Sequence, residues 1–244
     1  MACTRTMRCL LAGAVALLSV AVHAADYAQE RQEMLDAIRA SVRETADYTG
    51  LTQLSEEVMA AMGAVPRERF VLPSLRHMAH DNTALPIAEG QTISQPLIVA
   101  LMTHLVQPSS DDIILEVGTG SGYQAAVLAE LVKHVYSIEI IPELADGAAD
   151  LLAELEYNNV TVRAGDGYAG WPEHAPFDGI IVTAAADEIP PPLLQQLRPG
   201  GRLVIPVGPS AGHQELLVVE VDEQGEIAQR SVLPVRFVPL TGEH

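Results

Sequence analysis

The sequence predicts an α/β fold: a mainly parallel sheet covered by helices on both faces, with a helical addition on its N-terminal side. Three observations predict it. From residue 112 onward, short apolar runs recur without polar alternation, as in strands buried on both faces. Segments of helical length separate these runs, which is the pattern of strand–helix–strand crossovers. Before residue 108 the apolar residues instead recur at helical spacing.

The first element is a helix over 27–45, with Met34, Leu35, Ile38 and Val42 on one face. A second helix is expected from Ser55 to Met62, followed by "VPRERFV" (65–71) and a polar stretch containing proline. "QPLIVALMTHLV" (95–106) reads as a buried helix, with Ser94 as its cap and Pro96 in its first turn. Beyond Gln107-Pro108-Ser109, strands are expected at 112–118, 134–140, 159–165, 177–185 and 202–208. Helices begin between them near Gly122, at Pro142 and at Pro191. Strand-like segments at 214–221 and 226–238 close the chain. Residues 25–244 thus form one domain, with a helical and substrate-loop part at 27–107 and the sheet-bearing core at 108–244.

The N-terminus is expected to be a signal peptide over 1–24. Arg5 and Arg8 precede an apolar run from Leu10 to Val22, and Val22-His23-Ala24 offers small residues where a signal peptidase cuts. Export to the periplasm or beyond follows, with no membrane association after cleavage. Both cysteines, Cys3 and Cys9, lie in this segment, so the processed chain would carry no thiolate and no disulfide. Formal net charge is -18 and becomes -20 when Arg5 and Arg8 are removed. With aromatics at 4%, so acidic a chain offers neither the charge nor the stacking surface for nucleic acid.

"LEVGTGSGY" (115–123) ends the first core strand and opens a helix. Gly118, Gly120 and Gly122 let the backbone approach a ligand closely. The spacing is not G-x-G-x-x-G, since Tyr123 occupies the sixth position, and no Gly-Lys-Ser/Thr follows. Glu116, just before the glycines, suits a cationic ligand better than a pyrophosphate. Glu139 ends the next strand, 21 positions after Gly118, where a carboxylate accepts from ribose hydroxyls. Asp166 and Gly167 follow the third strand. A glycine loop, a Glu and an Asp at three consecutive strand ends point to one nucleoside-type ligand. A nucleoside bearing a sulfonium and no phosphate is S-adenosylmethionine.

These segments, with "LPIAEGQTISQPLIVALMTHL", "RAGDGYAGW", "APFDGIIVTAAADEIPPPLLQQLRPGGRLVIPVG" and "VRFVPLT", resemble the protein-L-isoaspartate O-methyltransferase family over roughly 54–241. The resemblance implies a class I methyltransferase fold, a Rossmann-like sheet with helices on both faces and an N-terminal helical addition. It implies S-adenosylmethionine as donor and, as partners, damaged proteins and peptides whose L-isoaspartyl carboxylate is methylated. It places the family's active-site hydroxyl at Ser94. It also implies an unusual order of the last strands.

An ionised carboxylate is already a nucleophile, so such a site needs no general base. It must hold one oxygen in line with the methyl group and exclude water. Neutral donors suit this, and Thr92, Ser94 and Thr183 are the substrate-side candidates. Ser94 reads equally as a plain helix cap. Two other readings stay open: a carboxyl methyltransferase for a different acid, and an exported donor-binding protein without turnover. "GPSAG" (208–212), with Asp222 and His244, formally matches a hydrolase elbow, but a strand follows it where a helix is required. His77 and His80 form no H-E-x-x-H and have no Cys partner, so they are expected at the surface or lining a pocket, and no metal is expected.

Overall fold

The structure is a computed structural model of the whole chain, described here over residues 27–209 and 212–242. The signal-peptide expectation, both cysteines, Ser210 and His244 fall outside the described residues. Among those residues no helix is long and apolar enough to cross a membrane.

Helix α1 covers 27–44 and packs Met34, Ile38 and Val42 into the core. α2 (Ala46–Thr49) and α3 (Glu56–Ala64) follow. Ser55 caps α3, its hydroxyl accepting from the Val58 amide at 3.3 Å. A small hairpin then pairs β1 (Leu85–Pro86) with β2 (Thr92–Ile93) and delivers the chain to α4 (Pro96–Val106).

The cap expected from Ser94 does not form. Gln95 is the capping position and its side chain makes no cap bond. Asn82 takes over from a distance, its Oδ1 accepting from the Leu97 amide at 3.0 Å while its carbonyl accepts from Gln95 Nε2 at 2.9 Å. The Ser94 hydroxyl is therefore free of backbone duty. His80 also departs from expectation. It is buried, with Glu30 3.2 Å from its Nδ1 and Glu68 3.3 Å from its Nε2, and so helps seat α1.

The core alternates β3 (Ile113–Val117), α5 (Tyr123–Ala129), β4 (His134–Glu139), α6 (Pro142–Glu154), β5 (Val160–Ala164), β6 (Phe177–Val182), α7 (Pro191–Gln195) and β7 (Leu197–Val207). β8 (Gln214–Val221) and β9 (Ile227–Val235) complete it. The seven strands lie in the order β5-β4-β3-β6-β7-β8-β9, parallel through β7 and antiparallel beyond. β7 begins before the expected 202, because Leu197 pairs with Phe177 and the Arg198–Gly201 stretch is absorbed as an irregularity. Chain order reverses between β3 and β6, and a crevice opens outside their carboxyl ends.

Alternation along β3 sends its residues to opposite layers. Ile114 joins the cluster built with α1, α3 and α4, while Leu115 and Val117 join the one around Trp171 and Phe177. The N-terminal helices therefore cover one face of the sheet and carry the Thr92–Ser94 loop to the crevice.

Candidate active site

The crevice is a cleft open to solvent, lined by the glycine loop, Glu139, Ile140 and the Thr92–Ser94 loop. Its floor is the glycine loop. Gly118 and Gly120 have φ of 97° and 54°, conformations that favour glycine, and both line the cleft. Gly118 is also held by space, since a Cβ there would lie 2.4 Å from Thr183 Oγ1. The loop spends its amides internally: Gly118 and Thr119 donate to Ile138 O, Gly120 to Glu139, and Gly122 to Thr119 O. Such a loop is no phosphate cradle, because a cradle needs amides aimed outward.

Glu139 lines the cleft and is almost fully buried. Its Oε2 accepts from the Gly120 amide at 2.8 Å and its Oε1 from the Ile141 amide at 3.0 Å. Each oxygen keeps a second lone pair, so the fixed carboxylate can still accept from two hydroxyls. Ile140 stands beside it, 37% exposed although apolar, as a surface for a flat base. Gly167 forms part of the opposite wall, where a Cβ would collide with Val117 at 2.3 Å.

Three expected donor-site residues do not line the cleft. Glu116 is wholly buried within the sheet layer, where Ser137 donates to its Oε2 and Thr119 Oγ1 stands 2.6 Å from the same Ser137 hydroxyl. Its Oε1 has no partner, and burial pushes the carboxyl up to about 8, with the charge of Glu139 adding to the rise. Burial thus favours its neutral form, which makes it a poor counter-charge for a cation. Gly122 is the left-handed start of α5, packed so that a Cβ would meet Leu152 at 3.3 Å. Asp166 caps a short helical turn, accepting from the Tyr168 amide at 2.9 Å.

On the acceptor side Thr92 and Ser94 line the cleft together with Thr183. The Thr183 hydroxyl donates to Gly118 O at 2.5 Å, so its one proton already serves the glycine loop. Among the described residues no side chain bonds the Ser94 hydroxyl. Its backbone is held from below: Arg67 Nη2 donates to Ser94 O at 2.7 Å and Nε to Ala79 O at 2.8 Å. Arg67 is 0% exposed, lies 4.6 Å from the centroid of the Tyr123 ring, and has no partner for Nη1. Burial lowers its pKa. Sequence reasoning did not select Arg67, Tyr123 or Gln91, and no spacing rule links them to the glycine loop. Among the described residues no cluster could hold a metal ion.

Comparison with known proteins agrees with this geometry. The family model described as protein-L-isoaspartate(D-aspartate) O-methyltransferase matches residues 43–244. The chain belongs to the protein-L-isoaspartate O-methyltransferase family. A relative of that description from Syntrophobacter fumaroxidans is 58% identical over 92% of each chain. One from Cupriavidus necator is 51% identical, with 96% of this chain and 92% of the relative covered. A solved protein-L-isoaspartate O-methyltransferase superposes with a TM-score of 0.74 at 27% identity, covering 87% of this chain and 66% of the other. Methyltransferases of this family take S-adenosylmethionine as donor. The cleft fits it: Glu139 faces the crevice for ribose, Ile140 offers an apolar surface for the base, and the loop makes no demand for phosphate.

Proposed function

We propose that this chain methylates the free carboxylate of L-isoaspartyl residues in damaged proteins and peptides, and so begins their return to normal aspartate. One observation carries the reading. The donor cleft and a second groove share Thr92, Ser94 and Thr183, so a donor and an extended peptide can meet at one point. S-adenosylmethionine supplies a methyl group already activated on a sulfonium. The protein's residues have a lighter task. Ser94 donates a neutral hydrogen bond to one carboxylate oxygen and steers the other toward the methyl group. Thr92 flanks that point, and Thr183 fixes the Gly118 carbonyl below it. A cationic clamp on the reacting oxygen would stabilise the ground state and reduce its nucleophilicity. The nearby Arg67 instead spends its bonds on backbone carbonyls. The ester then loses methanol to attack by the neighbouring backbone nitrogen, a step that needs no residue of this chain.

The test is methyl transfer from labelled donor to two peptides differing only in aspartate or isoaspartate. Base-labile label on the isoaspartyl peptide alone is expected. Label on neither, with donor binding intact, would favour a binding protein without turnover; label on a small acid in preference to the peptide would favour a different carboxyl methyltransferase.

We also propose that the protein works outside the cytoplasm. Arg5, Arg8 and the apolar run to Val22 support this, as does a processed chain without cysteine. Fractionation of cells with detection of a chain starting near Ala25 tests it; full-length protein in the cytoplasm alone would refute it.

A further inference from the structure

The groove that meets the donor cleft has a charge pattern that the methylation reading does not use. Its outer wall is the chain leaving β9, from Pro234 to Val238. That segment is held before Arg236 by the pairing of Pro234 and Val235 with β8, and after it by hydrogen bonds. Gln214, 1% exposed, accepts from the Phe237 amide at 2.7 Å and donates to the Phe237 carbonyl at 3.3 Å. Just beyond, Val238 O accepts from the Ala185 amide at 2.8 Å, and the Leu240 amide donates to Ala185 O at 2.7 Å. Arg236 sits on this fixed stretch, exposed, and is the one charged side chain among the described residues lining the groove.

Its charge is of the minority sign in this chain. There are 32 acidic residues and only 14 Lys and Arg. Arg31, Arg39, Arg69, Arg163, Arg198 and Arg202 are each in an ion pair. Among the described residues Arg236, like Arg43, Arg76, Arg230 and Lys133, is in no ion pair, but of these it alone lines the groove, where no acid stands. An isolated cation beside the acceptor path, on a strongly acidic surface, is a local attraction for anions. Arg236 lines the groove but not the donor cleft, whereas Ser94 lines both. Its charge therefore lies to the side of the point where the reacting carboxylate must sit.

Resting on the methylation reading above, we infer that Arg236 is a specificity-determining residue that favours acceptors with an acidic side chain next to the isoaspartyl residue. The wall backbone is held by hydrogen bonds, so the side chain that carries the charge starts from a constant place beside the groove. The effect is modest because the pair stays exposed and salt screens it.

The experiment uses isoaspartyl peptides identical except for Glu, Gln or Lys at the flanking positions, compared by kcat/KM at low and high salt. The wild-type protein is expected to prefer Glu over Lys by about three- to tenfold at low salt, with most of this lost at ~0.5 M salt. Arg236→Gln should bring the Glu-to-Lys ratio within about twofold of unity, and Arg236→Glu should invert it. A wild-type ratio near unity, or one that survives Arg236→Gln, overturns the inference while leaving methylation of the Gln peptide, and hence the functional reading, intact. If no isoaspartyl peptide is methylated at all, both readings fall.

Discussion

Replacing Glu116 with Gln should stabilise this protein increasingly as pH rises above 5. The side chain is 0% exposed, one oxygen lacks a partner, and burial lifts the carboxyl from 4.5 to about 8. An acid whose folded pKa is raised contributes its full stability below about 4.5, and that stability is lost as pH climbs toward and through 8. Each pH unit in this window costs about 1.4 kcal/mol. Neutral pH lies about two and a half units above the unfolded value, so the wild-type protein gives up ~3 kcal/mol at pH 7 and ~4 kcal/mol at pH 8. The amide has the same shape and never ionises. Its NH2 group lacks a sure acceptor, which costs about 1 kcal/mol at every pH. The variant should therefore match or fall slightly below wild type at pH 5 and exceed it by ~2–3 kcal/mol at pH 8.

Urea unfolding followed by fluorescence of Trp171, the single tryptophan and 7% exposed, reads this directly. A stability difference that stays constant within about 0.5 kcal/mol from pH 5 to pH 8 would refute the reasoning, because Glu116 would then titrate alike in the folded and unfolded chain. The Ser137 hydroxyl, donating to Oε2, opposes the rise that burial causes, yet the chain can serve either form. Thr119, Ser137 and Glu116 are linked by hydroxyls that can each reverse their donation, so a protonated Glu116 can donate where its ionised form would accept.

Ser94→Ala should lower turnover about 10- to 100-fold and leave the donor Kd within about twofold, measured by steady-state kinetics beside a donor titration. Glu139→Gln should weaken donor binding by at least about tenfold, since a charged acceptor becomes a neutral one, and calorimetric titration checks this. Gly118→Ala should cost at least ~1–2 kcal/mol in thermal stability, because the new Cβ meets Thr183 Oγ1 at 2.4 Å on a backbone with φ of 97°. Adding Thr183→Ala should recover only part of that loss, since the backbone conformation remains unsuitable. Arg67→Lys should reduce turnover more than it changes Tm, because an ammonium cannot span Ala79 O and Ser94 O as the guanidinium does; rescue of full activity by Lys would show that charge alone suffices.

Much of this architecture is local and therefore legible in the sequence. Apolar runs marked β3, β4, β6 and β7 as a buried parallel sheet, whose exposed edge is β5, and Pro96, Pro142 and Pro191 each fall at the start of a helix. The place of Glu139 was legible for the same reason: it ends a strand at a fixed distance from the glycine loop. Glu116 misled because sequence reveals that an acid precedes the glycines but not how deep the strand lies at that point. One residue short of the turn, its side chain is still inside the sheet layer. Gly122 and Asp166 carry local structural roles that the sequence leaves open. A glycine or an acid beside a ligand loop serves equally as a helix start or a cap, and packing against Leu152 and the Tyr168 amide decided between those uses.

The Ser94 loop shows what local reading must miss. A Ser before Gln-Pro is a sound helix cap by composition, yet Asn82 performs that function from an earlier loop. Release of the Ser94 hydroxyl is thus a long-range decision, taken jointly by Asn82 at the helix start and Arg67 beneath the backbone. Arg67 also lies against Tyr123, the first residue of α5 after the glycine loop, so one buried cation touches the supports of both reactants. Its bonds go to carbonyl oxygens and an aromatic ring rather than to a carboxylate. A carboxylate partner would have paired the charge at the cost of burying a second ion. Carbonyl partners instead fix the loop that presents Ser94, which is how an arginine can serve a site whose reacting oxygen must not be clamped by one.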